Sequence, residues 1–205
     1  MKILLSDAGK RYNREWIFRH LNYEFNTGTA YAITGNNGSG KSTLLQVIAG
    51  AVQHSEGAID FTADGKTIEA ELHHQSISLA APYLELPEEM TLTEFLRFHQ
   101  SFKSFLPSVN GSFIIDELGL KHAAQKQIRY YSSGMKQRVK LAQAIFSDVP
   151  VVLLDEPATN LDAEGFALYH RLINSYCMNR LVIVSSNDDA EYSFCKEKLS
   201  IMDYK

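Results

Sequence analysis

Cysteine is scarce: Cys177 and Cys195 are the only two in 205 residues. They fit neither a disulfide framework nor a metal-ligand spacing, so two reduced thiols are expected. No apolar run approaches the ~18 residues that a membrane span requires. The chain is therefore not expected to enter a bilayer by itself, although it can sit on a membrane partner. A basic excess is missing too, since 20 Lys and Arg face 24 Asp and Glu, a net charge of −4. Nucleic-acid binding usually leaves a basic footprint, so no nucleic acid is expected as partner. Five prolines and twelve glycines are too few for a collagen-like or low-complexity chain. No repeat and no Gly-, Ser- or Pro-rich linker divides the sequence. The opening Met1–Arg14 turns charged again within a few residues, so no secretory leader is expected there. What remains is ordinary globular material, 45% hydrophobic and 21% charged. Its length suits one domain, or one domain with a subdomain.

Apolar segments of strand length recur at Leu21–Phe25, Tyr31–Thr34, Ala58–Phe61, Ile77–Ala80, Val151–Leu154 and Leu181–Ser185. Val151–Leu154 and Leu181–Val184 are almost wholly apolar, as central strands covered on both faces must be. Helical patterns lie between them. One covers Ser42–Ala49 and stops at Gly50, a C-cap residue. Thr91-Leu92-Thr93-Glu94 is a capping box that opens a helix running toward Ser104. Ser133–Phe146 places Val139, Leu141, Ala142, Ile145 and Phe146 on one face, and Ala163–Ser175 is a further helix. Alternating strands and helices predict an α/β fold with a mostly parallel sheet. Residues 83–131 break the alternation and read as helices alone. They predict a helical subdomain whose aromatics, Phe95, Phe98, Phe102, Phe105 and Phe113, form a small core of its own.

Gly35-Asn36-Asn37-Gly38-Ser39-Gly40-Lys41-Ser42-Thr43 has the spacing G-x-x-x-x-G-K-[ST] between an expected strand and an expected helix. Glycines let the backbone curl so that successive N–H groups point inward and form an anion nest. The positive end of the helix dipole adds to it. In such a loop Lys41 reaches the β- and γ-phosphates of a nucleotide and the Ser42 hydroxyl ligates Mg²⁺. Asp155-Glu156-Pro157 follows the strand Val151–Leu154. Alone it is an acidic pair opening a loop. Downstream of a phosphate loop, Asp155 suits the magnesium and Glu156 suits the polarisation of an attacking water.

Taken together, these residues resemble the ATP-binding subunits of ABC transporters, from Tyr12 to about Lys198. Tyr131-Ser132-Ser133-Gly134-Met135 looks like the family's signature, usually LSGGQ, and Thr159-Asn160-Leu161-Asp162 is similar to its D-loop. A phosphate loop alone is shared with kinases and GTPases; the four motifs in this order are not. The resemblance implies a RecA-like P-loop core at 1–82 and 145–205, with a small antiparallel β part near the N-terminus. Residues 83–144 are then an inserted helical subdomain ending in the signature helix. It also implies ATP and Mg²⁺ as cofactors, with Tyr12 stacked on adenine and Trp16 as the fallback. Ser133 and Gly134, together with Asp162, would serve ATP held by the opposite subunit of a head-to-tail dimer, homomeric or heteromeric.

Three positions depart from the family. Ser133 and Met135 stand where the signature has Gly and Gln. The glutamine expected after Ile77–Ala80 is absent: its place falls near Ala81 or Pro82, Gln75 precedes the strand, and Glu85 is a weak substitute. Asn187 stands where the family has a histidine after the last core strand. An amide still donates a hydrogen bond but does not titrate, so slower hydrolysis is expected. Three functions follow from the resemblance. One is an ATPase on the cytoplasmic face of a membrane, driving a separate permease. A second is a regulatory dimer that hydrolyses little. The third is a soluble non-transport ABC protein acting on DNA or ribosomes, whose usual long insertions or tandem domains are missing here. By length and pattern the chain resembles short subunits serving export, including haem export for cytochrome c maturation. No sizeable regulatory domain is expected after the last expected strand, near Leu199–Met202.

Overall fold

The computed structural model describes all residues, Met1–Lys205. The chain opens as a hairpin, β1 (Lys2–Tyr12) and β2 (Glu15–Asn26), followed by β3 (Ala30–Thr34) and α1 (Lys41–Ile48). Then come β4 (Glu56–Ala63), β5 (Lys66–Ile68) and β6 (Ile77–Ala80). The helical stretch contributes α2 (Leu92–Gln100), α3 (Gly111–Glu117) and α4 (Ser133–Ile145). The chain returns through β7 (Val151–Asp155), α5 (Ala163–Tyr176), β8 (Leu181–Ser185) and β9 (Glu197–Ser200).

Two sheets result. One is antiparallel, in the order β2-β1-β4-β5; the other is parallel, in the order β6-β7-β8-β3-β9. β7 and β8 are fully buried, as their apolar runs require. Alternate residues of the parallel sheet face two different cores. Ile33, Val151, Leu153 and Ile183 pack with α1 and with Ile3, Phe18, Phe25 and Phe61 of the antiparallel sheet. Ala32, Val152, Leu154 and Val184 pack with α4, α5 and the helical stretch. All five parallel strands thus end on one edge, where the loops after β3, β7 and β8 meet. Ligands in open α/β sheets bind beyond such carboxyl ends.

The strand and helix expectations hold, with local differences. The hairpin strand β1 went unseen because it bulges: Asp7 sits at φ 51° and the register with β2 slips between Leu5 and Ala8. Those slips break the alternation that marks a strand. The helix after Thr91 stops at Gln100, short of Ser104. Its capping box is present, with Thr91 and Glu94 bonded reciprocally. The aromatic core of the helical stretch is a correction. Phe95 and Phe105 are buried, but Phe98, Phe102 and Phe113 are 44%, 72% and 36% exposed. Leu92, Phe95 and Leu96 make the inner face of α2, which turns Phe98 outward, and Phe102 lies past the helix end. The buried pair also joins the sheet-facing cluster rather than closing a core of its own.

Candidate functional site

The loop from Gly35 to Gly40 leaves β3 and enters α1 through backbone that L side chains resist. Gly35, Gly38 and Gly40 have φ of 147°, 76° and 99°. A Cβ on Gly40 would also stand 2.3 Å from Cγ2 of Ile17. No side chain caps α1, so its first N–H groups stay free for an external acceptor. Lys41 is 4% exposed. Its ammonium donates to the Gly35 and Asn36 carbonyls at 2.9 and 3.2 Å, which holds it under the curl. Residues 37–43 line a cavity of about 210 Å³, closed on other sides by Ile17 and Glu156. Gly35 and Asn36 are not in its lining and act through their carbonyls on Lys41.

Asp155, the last residue of β7, is 1% exposed, and its Oδ1 has no hydrogen-bond partner. Burial raises its pKa; the Ser185 and Ser42 hydroxyls and the Lys41 ammonium partly oppose the shift. A buried carboxylate oxygen left without a donor, beside a serine hydroxyl and hard-oxygen surroundings, suits a divalent cation. The residues present therefore fit magnesium. Glu156 takes φ 41°, a left-handed conformation that aims it away from the strand and onto the cavity wall. Its N–H donates to the Ser185 carbonyl at 2.8 Å.

A second cavity, about 430 Å³, opens at the start of α4. Ser133, Gly134 and Asp162 line it, with Asn160 and Arg138. Asp162 caps α5 through Gly165 N–H at 2.8 Å and pairs with Arg138 at 3.2 Å. The N-cap of α4 is Ser132, which accepts from Met135 N–H, while Ser133 is the first helical residue. Sequence reasoning passed over Ser132, although Ser before an apolar-periodic run is the usual N-cap sign. It also passed over Ile17, which carries no chemical signal.

Tyr12 and Asn187 line neither of these cavities. Tyr12 is 47% exposed at the end of the β1–β2 hairpin, with the Lys10 ammonium 4.8 Å from its ring. Asn187 is exposed in the loop after β8. The fallback Trp16 is held between Arg11 and Arg19. Gln75 is on the surface. Glu85 lines a different cavity with Lys136 and Lys140.

Comparison with known proteins gives a consistent result. The sequence profile of the ABC transporter family matches residues 18–159. A cytochrome c biogenesis ATP-binding export protein, CcmA of Agrobacterium fabrum, is 32% identical over 86% of this chain and 84% of its own. An ABC transporter ATP-binding protein of Pyrococcus furiosus superposes with TM-score 0.83 at 22% identity, covering 100% of both chains. A bacterial ABC transporter cassette solved as a dimer superposes with TM-score 0.80 at 21% identity, over 97% of this chain and 94% of that one. The expected fold, a P-loop core with an antiparallel sheet and helices, is the fold these structures share.

Proposed function

The chain belongs to the ABC transporter family, and from that premise we propose that it is the ATP-hydrolysing subunit of a transporter whose membrane permease is a separate chain. The observation that carries this reading is the single cavity that Lys41 and Glu156 line together with the phosphate loop. ATP lays its phosphates in the curl of residues 35–43, where free amides and the helix dipole favour anions. The Lys41 ammonium moves from its two loop carbonyls to the β- and γ-phosphates. Ser42 and Asp155 would hold Mg²⁺, which offsets negative charge on the phosphate oxygens. Glu156 orients a water for attack at the γ-phosphorus and accepts its proton. A bond to the water oxygen forms as the bond to the ADP oxygen breaks.

Tyr12 is read as the adenine platform, because its ring is exposed on the hairpin that brings Ile17 to the cavity. Asn187 is read as an amide donor to the γ-phosphate once the loop after β8 approaches. Ser133, Gly134 and Asp162, joined by Ser132, would serve ATP on a second subunit of a head-to-tail dimer. A donor-rich cavity separate from the phosphate loop has no evident use within one chain. No helix is long and apolar enough to cross a membrane. A permease would place this subunit at the cytoplasmic face, and the exposed pair Phe98–Phe102, with centroids 5.0 Å apart, offers it an apolar contact. Export related to cytochrome c biogenesis is the transport role favoured by the 32% identical relative.

The test is Mg·ATP turnover of the purified chain beside Glu156→Gln, with dimer mass recorded for both. Turnover in the wild type and an ATP-locked dimer in the variant are expected. ATP-dependent dimers without turnover in either chain would instead favour the regulatory dimer, a reading supported by the exposed Asn187 and the absent glutamine.

A further inference from the structure

Besides Asp155, one acidic residue is buried, and the proposed mechanism does not use it. Glu191, in the loop after β8, is 6% exposed. Its Oε1 accepts the Ala158 N–H at 3.0 Å, and its Oε2 is buried without a partner. Its own backbone is fixed as well: the Tyr169 hydroxyl donates to its carbonyl at 2.8 Å and its N–H donates to the Asp188 carbonyl at 3.0 Å. From the opposite side, the buried Gln137 of α4 donates Nε2 to the Pro157 carbonyl at 2.8 Å. The Pro157 carbonyl and the Ala158 N–H are two ends of one peptide group. Two side chains from two distant elements therefore hold that single peptide plane by its acceptor and its donor.

The peptide lies one residue beyond Glu156, whose left-handed backbone needs such support. Conformations of this kind are costly and persist only where the surroundings over-determine them. The clamp also reaches the second cavity. Two residues past Ala158, the Asn160 carbonyl lies 3.0 Å from the position of a Cβ on Gly134, so the loop and the start of α4 are in contact.

We propose that Glu191 and Gln137 are positioning residues for ATP hydrolysis, clamping the Pro157–Ala158 peptide so that Glu156 stays over the phosphate loop and the loop to Asp162 stays against the start of α4. The proposal rests on the reading of Glu156 as the residue that activates water. A carboxamide keeps the acceptor oxygen, so Glu191→Gln preserves the clamp; Glu191→Leu and Gln137→Leu each remove one jaw. The phosphate loop is untouched in all three.

Two measurements test it, with thermal unfolding as the check on folding. The first is amide hydrogen exchange of residues 156–162 without nucleotide, which needs no catalysis. Exchange rises in the two leucine variants and stays at the wild-type level in Glu191→Gln. The second is steady-state ATP turnover. Misplacing a catalytic group by about 1 Å can cost about a hundredfold, so kcat falls at least about tenfold in the leucine variants, with KM for ATP within about twofold, and Glu191→Gln stays near wild type. Unchanged exchange in both leucine variants overturns the clamp, as does a Glu191→Gln chain that behaves like Glu191→Leu. Faster exchange with undiminished kcat overturns the link to catalysis. A wild-type chain without turnover would defeat the functional reading instead, and the exchange measurement would still decide the clamp.

Discussion

Two helices of this molecule begin in a donor-rich cavity, and they begin differently. α1 starts after Gly40 with no side-chain cap, under a loop that curls back on a buried lysine. α4 starts after Ser132, whose hydroxyl already accepts one of the orphan amides, and no lysine or arginine occupies its first turn apart from Lys136, which is paired with Glu88. The first start is an anion site complete in itself: free amides, dipole and a cation. The second is partly satisfied from within. That difference fits one site that grips phosphate and another that adds a few donors to phosphate gripped elsewhere.

The largest expected effect breaks the first site at its charge. Lys41→Ala removes the ammonium held by the Gly35 and Asn36 carbonyls and should lower ATP turnover by about a hundredfold or more, measured at saturating Mg·ATP. Thermal unfolding should change little, because a buried ammonium held by two carbonyls gives way to a small apolar group. A collapse of the melting temperature would show that the loop needs Lys41 for folding rather than for phosphate.

Gly40→Ala attacks the same start through the backbone. Left-handed φ costs an L residue about 1–2 kcal/mol, and the added Cβ would meet the Ile17 methyl at 2.3 Å. A loss of about 2 kcal/mol in chemical unfolding is expected, together with weakened ATP binding by calorimetry. Ser132→Ala is the matching change at α4. Loss of an N-cap costs about 1 kcal/mol, with ATP binding to the isolated chain unaltered. Unequal effects on ATP binding, large at Gly40 and absent at Ser132, would sharpen the contrast; equal effects would erase it.

The sequence revealed the first start and blurred the second for a physical reason. Gly35–Thr43 must supply glycines, lysine and hydroxyl at fixed spacing, because the curl and the phosphate both dictate residue type. The β7 terminus is legible in the same way: an apolar run ending in Asp155 announces a carboxylate at a sheet edge. At α4 the serines are interchangeable by type, and only the helix boundary tells Ser132 from Ser133. Glu191 and Gln137 leave no local trace, since a lone acid and a lone amide gain meaning only when one peptide lies between them. The aromatics of the helical stretch misled for the converse reason. Composition suggested a core, but the face of α2 that carries Leu92, Phe95 and Leu96 leaves Phe98 outside.

The smallest effect expected lies away from both starts, where the helical stretch packs on the sheet. His99 of α2 is half-buried, with Nε2 2.9 Å from the Ser147 hydroxyl and its ring 5.8 Å from that of Phe105. Burial, helped by the Lys103 ammonium, lowers its pKa to about 4. An unfolded histidine titrates near 6.5. Below that value the unfolded chain binds the proton and the folded chain does not, so folding stability falls with pH. The contribution of neutral His99 is thus full above pH 6.5 and is lost progressively between 6.5 and about 4. Chemical unfolding at pH 7.5 and 5 should differ in the wild type, and the difference should shrink in His99→Gln, which keeps a polar group for Ser147 but cannot take the proton. An identical difference in the variant would assign the acid sensitivity to groups other than His99; Asp155 and Glu191 are not among them, because burial raises their pKa values and protonation there favours the folded chain.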